Sequence, residues 1–267
     1  MKKRAVYIFI TAALLIISCS GAEKKKGEEE AVSGAGAKKS VELQSRIAEI
    51  NENKPSAISS NVTVDGDSRG KKFRFEGRML YDSSGYAQLK LTDYIFKGPV
   101  LDFYRNREDL YFYYPTERKL YIDTVEKIRF SSYAGFPVDF TFVYTLLSGG
   151  IPVIDNVKTV KTLGEDGGDS FYLILENSDF FQNIYMNKKI PERILLIHKR
   201  SREKIEVYIK AHKKKGESIF FNKLRIVVPG SDFSLNLNFT GTKLNSPIKI
   251  DPFTPDKVRG SEIIRIN

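Results

Sequence analysis

The sequence predicts a mainly β fold with some helix (α+β): one large antiparallel sheet of about ten strands with helices plugging its concave side. Three observations carry this. From about Asn61 onward apolar residues recur with a period of two, so one face of each strand is apolar and the other polar. Turn signals at Asp82-Ser83-Ser84-Gly85, Asn106-Arg107-Glu108 and Pro115-Thr116 separate the runs at short intervals, which favours a meander. Two stretches, Ser40–Asn51 and the segment after Gly135, break the pattern with helical features.

The N-terminus speaks to location. Lys2, Lys3 and Arg4 precede the apolar run Ala5–Ile17, which falls short of the about 20 residues a membrane-spanning helix needs. This is the layout of a secretory signal peptide over residues 1–18. The run ends in Ile16-Ile17-Ser18-Cys19, which resembles the lipobox of bacterial lipoproteins. That resemblance implies cleavage before Cys19, a diacylglycerol thioether on its sulfur and an acyl chain on the new amino group. Cys19 is the only cysteine in the chain, so no disulfide is available. Several acyl chains, at about 0.8 kcal/mol per buried methylene, anchor stably where one would be marginal.

Residues 19–39 read as the lipidated cysteine followed by a disordered tether. "GAEKKKGEEEAVSGAGAKK" is too charged and too rich in Gly, Ala and Ser to bury the apolar surface that ordering requires. The folded domain is expected over residues 40–260, with no linker and no internal repeat. Net charge is +10 for the whole chain, and loss of the first 18 residues removes only Lys2, Lys3 and Arg4 from the basic side. An exported, anchored chain meets little nucleic acid, so a basic balance suits an anionic bilayer, acidic envelope polymers, or plain solubility.

In "SVELQSRIAEIN" Ser40 can cap a helix, and Leu43, Ile47 and Ile50 recur at helical spacing. In "KKFRFEGRMLYD" Phe73, Phe75, Met79 and Tyr81 share one face while Arg74, Glu76 and Arg78 share the other. "YAQLKLTD" places Ala87, Leu89 and Leu91 together, and "VLDFYRN", "DLYFYYP" and "KLYIDT" add short strands. "AGFPVDFTFVYTLLSGGIP" then opens with Pro137 and Asp139 at a helix start and closes with Gly149-Gly150 and Pro152. Its residues are apolar all round, which suits a buried helix, and its aromatic and β-branched content leaves a strand reading open. The meander resumes through "SFYLILEN", "ERILLIHKRS", "KIEVYIKAH", "SIFFNKLRIVVPG" and "FSLNLNFTGTKLN".

Enzymes are hard to build from this inventory. The two histidines, His198 and His212, fall on a strand and in a basic turn, and a zinc site would need carboxylates for all its other ligands. There is no Gly-rich phosphate cradle, nucleophile elbow or HExxH helix, so no catalytic residue, metal or cofactor is expected. Lys213-Lys214-Lys215 reads as a hairpin turn kept soluble by charge. What the chain offers instead is apolar surface, which the same residues could spend on a cavity or on an ordinary core. One segment is harder to place in a core: Tyr94-Ile95-Phe96 stands beyond a strand end, between Asp93 and Gly98-Pro99.

The order of lipobox, tether, amphipathic helix, meander, helix and meander resembles the LolA/LolB-type lipoprotein carriers of two-membrane bacteria. "LTDYIFKGPVLDF" looks like the strand-turn-strand of the LolB receptor that bears a protruding hydrophobic residue. "GFPVDFTFVYTLLSGGIP" is similar to the family helix that follows a proline, and Leu224–Phe253 is similar to the family's C-terminal strands. The resemblance implies an unclosed antiparallel barrel with a helical lid over an acyl-binding cavity, and the lipid anchor points to the LolB side. The chain is longer than the usual receptor domain, with extra strands around Lys188–Ala211.

The implied function is non-enzymatic: a monomeric, anchored acceptor of acylated cargo on the outer membrane, facing the periplasm, partnered by lipoproteins or lipid acyl chains and by a soluble LolA-like carrier. Phe73, Phe75, Leu89, Leu91, Leu101, Phe103, Phe140 and Leu147 would line the cavity, and Tyr94, Ile95 and Phe96 would enter the membrane. Carriage of free lipid or glycolipid, and an envelope scaffold with a filled core, are the alternatives.

Overall fold

The computed structural model describes residues 34–125, 140–164 and 169–266. Cys19, the signal segment, most of the tether and the helix start at Pro137–Asp139 lie outside the described residues. Helix α1 (Gly34–Glu52) starts earlier than Ser40, and helix α2 (Phe140–Leu147) confirms the helical reading of the apolar segment. A short 3-10 turn covers Pro255–Val258.

The sheet has fourteen strands among the described residues, where about ten were expected. They are β1 (Ala57–Ser68), β2 (Lys71–Asp82), β3 (Tyr86–Asp93), β4 (Pro99–Asn106), β5 (Asp109–Tyr114), β6 (Lys119–Thr124) and β7 (Thr159–Gly164). The remainder are β8 (Ser170–Glu176), β9 (Phe180–Asn187), β10 (Ile190–His198), β11 (Lys204–Lys215), β12 (Ser218–Val228), β13 (Phe233–Leu244) and β14 (Glu262–Arg265). Their order is β14-β6-β5-β4-β3-β2-β1-β13-β12-β11-β10-β9-β8-β7, so the sheet is unclosed, with β14 and β7 at its edges. All ladders are antiparallel except β14 on β6.

The four added strands each hide their pattern for a physical reason. In β1 an inward Ser60 interrupts the apolar row; it is buried and bonds Thr242 at 2.8 Å and the Thr240 carbonyl at 3.0 Å. In β9 the inward position is Gln182, fully buried, whose amide donates to the Pro152 carbonyl (2.7 Å) and accepts from the Ile154 N–H (3.0 Å). Those two bonds fasten the segment after α2 to the concave face. β7 and β14 are edges whose side chains are mostly half-buried or exposed, so neither carries a strong alternation.

The two halves of the concave face differ. Across β8–β13 it is closed: Leu173, Ile184, Ile194, Val207, Phe220, Phe221 and Leu224 are essentially inaccessible and pack with Leu43, Ile47 and Ile50 of α1. Ser40 shares a short hydroxyl contact with Thr162 of β7, and Asn51 brackets Ile151 through both its carbonyl (2.9 Å) and its N–H (2.7 Å). The β2–β5 half is covered by α2 at one end only. On the convex side of β4–β6 the C-terminal segment lies as a strap. Phe253 stacks on Tyr104 (4.4 Å) and packs on Tyr111 (5.0 Å), while Asn106 bonds its carbonyl (2.7 Å) and accepts from its N–H (3.2 Å). Gly77 is required by close approach, because a Cβ there would lie 1.8 Å from the Lys90 carbonyl oxygen.

Candidate functional site: the concave face and the β3–β4 tip

Strand register puts the expected lining residues on one face. Phe75 stands opposite Val64, Leu91 opposite both Gly77 and Leu101, and Leu89 opposite both Met79 and Phe103. α2 closes over one end: Phe140 meets Phe103 at 5.7 Å and stacks on Tyr144 at 5.3 Å, and Tyr144 meets Tyr81 at 5.7 Å. Phe103, Phe140 and Leu91 are buried there. Phe73, Phe75, Leu89, Leu101 and Leu147 are only partly buried, packed on the main core by one side. Phe73 lies down over Gly66, whose missing side chain makes room for the ring, and stacks on Phe75 at 5.3 Å. The eight residues thus share one concave surface that is closed near α2 and partly open toward the end of β2 and β3.

Electrostatics at the closed end follow from burial. Burial pushes the Tyr144 hydroxyl up to about 12, with Arg105, 4.4 Å from the ring centroid, offsetting part of the effect. Tyr81 is raised for the same reason. The Tyr144 oxygen has no hydrogen-bond partner among the described residues. Both rings therefore stay neutral, and Arg105 stands at this end of the concave face against an aromatic wall.

At the open end stands the β3–β4 connection, and it is a built turn. The Asp93 carboxylate accepts from the N–H groups of Ile95 (2.8 Å) and Phe96 (2.7 Å), and its backbone bonds Lys97 (3.0 Å) and Gly98 (2.8 Å). Lys97, rather than Gly98, takes the left-handed conformation, at φ 57°. Tyr94 is held between the Arg74 guanidinium (4.2 Å) and the Lys97 ammonium (4.7 Å). Those cations are themselves tied to Asp65 and Glu76. With Tyr94 clamped, the backbone turns Ile95 and Phe96 outward, 76% and 85% exposed. Of the three residues singled out in sequence, two form the tip and one supports it. Arg74 and Arg78 lie on the polar face, as the alternation requires.

Sequence reasoning missed a second feature, a cleft of about 420 Å³ on the opposite half of the sheet, bordered by Ile190, Pro191, Lys210 and His212. Its signal was faint: a proline inside an apolar run and a basic stretch after "KIEVYIKAH". Among the described residues no cluster of His, Cys, Asp or Glu could hold a metal ion, and no helix is long and apolar enough to cross a membrane.

No family model and no curated protein matches this sequence. Solved structures do resemble it. A DUF1329 family protein from Desulfovibrio piger superposes with a TM-score of 0.55 at 14% identity, over 83% of this chain and 98% of that one. A "putative outer membrane lipoprotein-sorting protein domain" from Vibrio parahaemolyticus gives 0.55 at 12% identity, over 84% and 97%. A LolA superfamily protein from Nitrosomonas europaea gives 0.52 at 11% identity, over 81% and 96%. At such identities the likeness is one of fold: this chain has the LolA-like open sheet.

Proposed function

We propose that this chain is a membrane-anchored, non-enzymatic acceptor of acylated cargo in the bacterial envelope, nearer the LolB receptor than the soluble carrier. The observation that carries the reading is continuity. Half-buried Phe73, Phe75 and Leu101 lead from the concave face toward the end of the sheet where Ile95 and Phe96 project. The LolA-like fold supports it, as do the lipoprotein-sorting and LolA-superfamily names of two structural neighbours.

The mechanism is partition. An acyl chain lodges against Phe73, Phe75, Leu89, Leu91, Leu101, Phe103, Phe140 and Leu147, and the Tyr94–Phe96 tip enters the outer membrane and offers the chain to the bilayer. Moving methylenes from one apolar site to another changes free energy little, so direction depends on the relative affinity of carrier, receptor and bilayer. The lipobox at Cys19 would hold the chain at the outer membrane, facing the periplasm, with the segment before α1 as tether. A soluble LolA-like protein would supply the lipoprotein, and a monomer suffices.

A fluorescent dodecanoyl probe tests this. Triacylated lipopeptide should displace the probe, its deacylated twin should not, and Leu101→Glu at the open end should weaken probe uptake. Equal displacement by both peptides would contradict the reading.

A further inference from the structure

The cleft in the second half of the sheet is an engineered-looking break rather than a gap in packing. β10 and β11 pair only from Arg193↔Tyr208 to Ile197↔Lys204. Beyond Arg193, the Ile190–Pro191 end of β10 pairs with β9 alone, while the Ile209–Lys215 half of β11 pairs with β12 alone. The two strands diverge and the ladder lapses, which leaves two strand edges facing each other across the opening. Pro191 has no N–H to lose there. Three register irregularities fall at the same place: at Glu192 in β10, and at Lys210 and His212 in β11. All three irregular residues border the cleft. Bulges concentrate where a strand must re-aim a side chain or stop pairing.

The walls have two chemistries. Pro191 and Ile209 are buried and form an apolar floor. The convex rim is basic. Lys210 and His212 stand on one side of the opening and Lys188 on the other. Among the described residues neither Lys188 nor Lys210 has an ion-pair partner; the Lys210 ammonium rests 4.9 Å from the Tyr208 ring centroid. The one acid in the cleft, Glu192, accepts a hydrogen bond from the Asn187 amide at 3.0 Å.

We propose that this cleft binds an extended segment of a partner protein in which acidic and apolar residues alternate. A peptide lying between two open strand edges gains main-chain hydrogen bonds by strand addition. Its side chains then alternate between the two faces. Those on the convex side meet Lys188, Lys210 and His212, and those on the other side meet Pro191 and Ile209. The inference does not depend on the acyl-carrier reading, since the two sites lie on different halves of the sheet.

The test titrates the full chain, in nonionic detergent, into fluorescein-labelled (Glu-Val)₃, with (Ser-Val)₃ and (Lys-Val)₃ as counterparts, followed by anisotropy. The acidic peptide should bind about tenfold or more tightly than the serine peptide. Lys210→Glu should remove that advantage. Lys243→Glu, an exposed cation on β13 outside the cleft, makes the same change in net charge and should leave the advantage within about twofold. Both positions are on the surface, and circular dichroism checks that the fold is kept. Equal binding of the three peptides, or equal loss in the two variants, would overturn the proposal. So would Lys210-dependent binding to anionic phosphatidylglycerol vesicles without binding of the acidic peptide, which would reassign the basic rim to the membrane.

Discussion

Replacing the tip residues, as Ile95→Ser/Phe96→Ser, isolates what the exposed loop does. Neither side chain packs in the core, and the Asp93 carboxylate holds their backbone N–H groups, so the turn should survive the change. Fully burying such a side chain is worth about 1.5–3 kcal/mol, and Ile95 and Phe96 are 76% and 85% exposed. Moving both into a bilayer therefore releases about 2–5 kcal/mol, or roughly 30-fold to a few thousand-fold in partition at 1.4 kcal/mol per decade. Vesicle flotation of the unlipidated region from Lys38 onward reads this directly, while thermal unfolding should move by less than about 0.5 kcal/mol. Ile95→Glu/Phe96→Glu goes further: cargo binding should persist while delivery to membranes fails. Equal flotation of parent and serine variant would refute the argument, because the only large exposed apolar pair on the tip would then contribute nothing at the bilayer.

Three further outcomes follow from the packing. Tyr144 ionises less readily folded than unfolded, so its contribution to stability is intact below pH 10 and is lost between pH 10 and about 12, by about 2–3 kcal/mol. Urea titrations across that range should show a shallower decline for Tyr144→Phe, with neutral-pH stability undiminished because a partnerless buried oxygen is removed. Phe253→Ala should free the C-terminal strap at a cost of about 3 kcal/mol or more, seen as new proteolytic cleavage between Asn245 and Arg259. Gly77→Ala should cost at least about 2 kcal/mol in thermal unfolding, since β2 and β3 must separate to admit the methyl group.

Period-two alternation was legible wherever one face of a strand is apolar and the other polar. Phe73–Tyr81, Ala87–Leu91 and Leu235–Phe239 all lie on the face that the alternation assigned. It was illegible where a buried polar group serves a specific partner. Ser60 and Gln182 look like solvent residues in sequence, yet they fasten β13 and the Pro152 segment from inside. Edges were illegible too, since β7 and β14 bury little and β14 pairs in parallel across a long chain separation. At the tip, sequence alone identified the anomaly of three apolar residues in a turn. That Tyr94 would be clamped by Arg74 and Lys97 depended on a cross-strand neighbour no local pattern announces. The cleft lay hidden because a lapsed ladder and its bulges are relations between neighbouring strands, which no single segment announces.

The most direct test of the central claim is native mass spectrometry of the chain mixed with a triacylated lipopeptide and, separately, with its deacylated twin. One-to-one adducts with the acylated peptide alone are the predicted result. Adducts with neither peptide would mean that the concave face is simply core, and equal adducts with both would mean that binding ignores the acyl chains; either would contradict the carrier account.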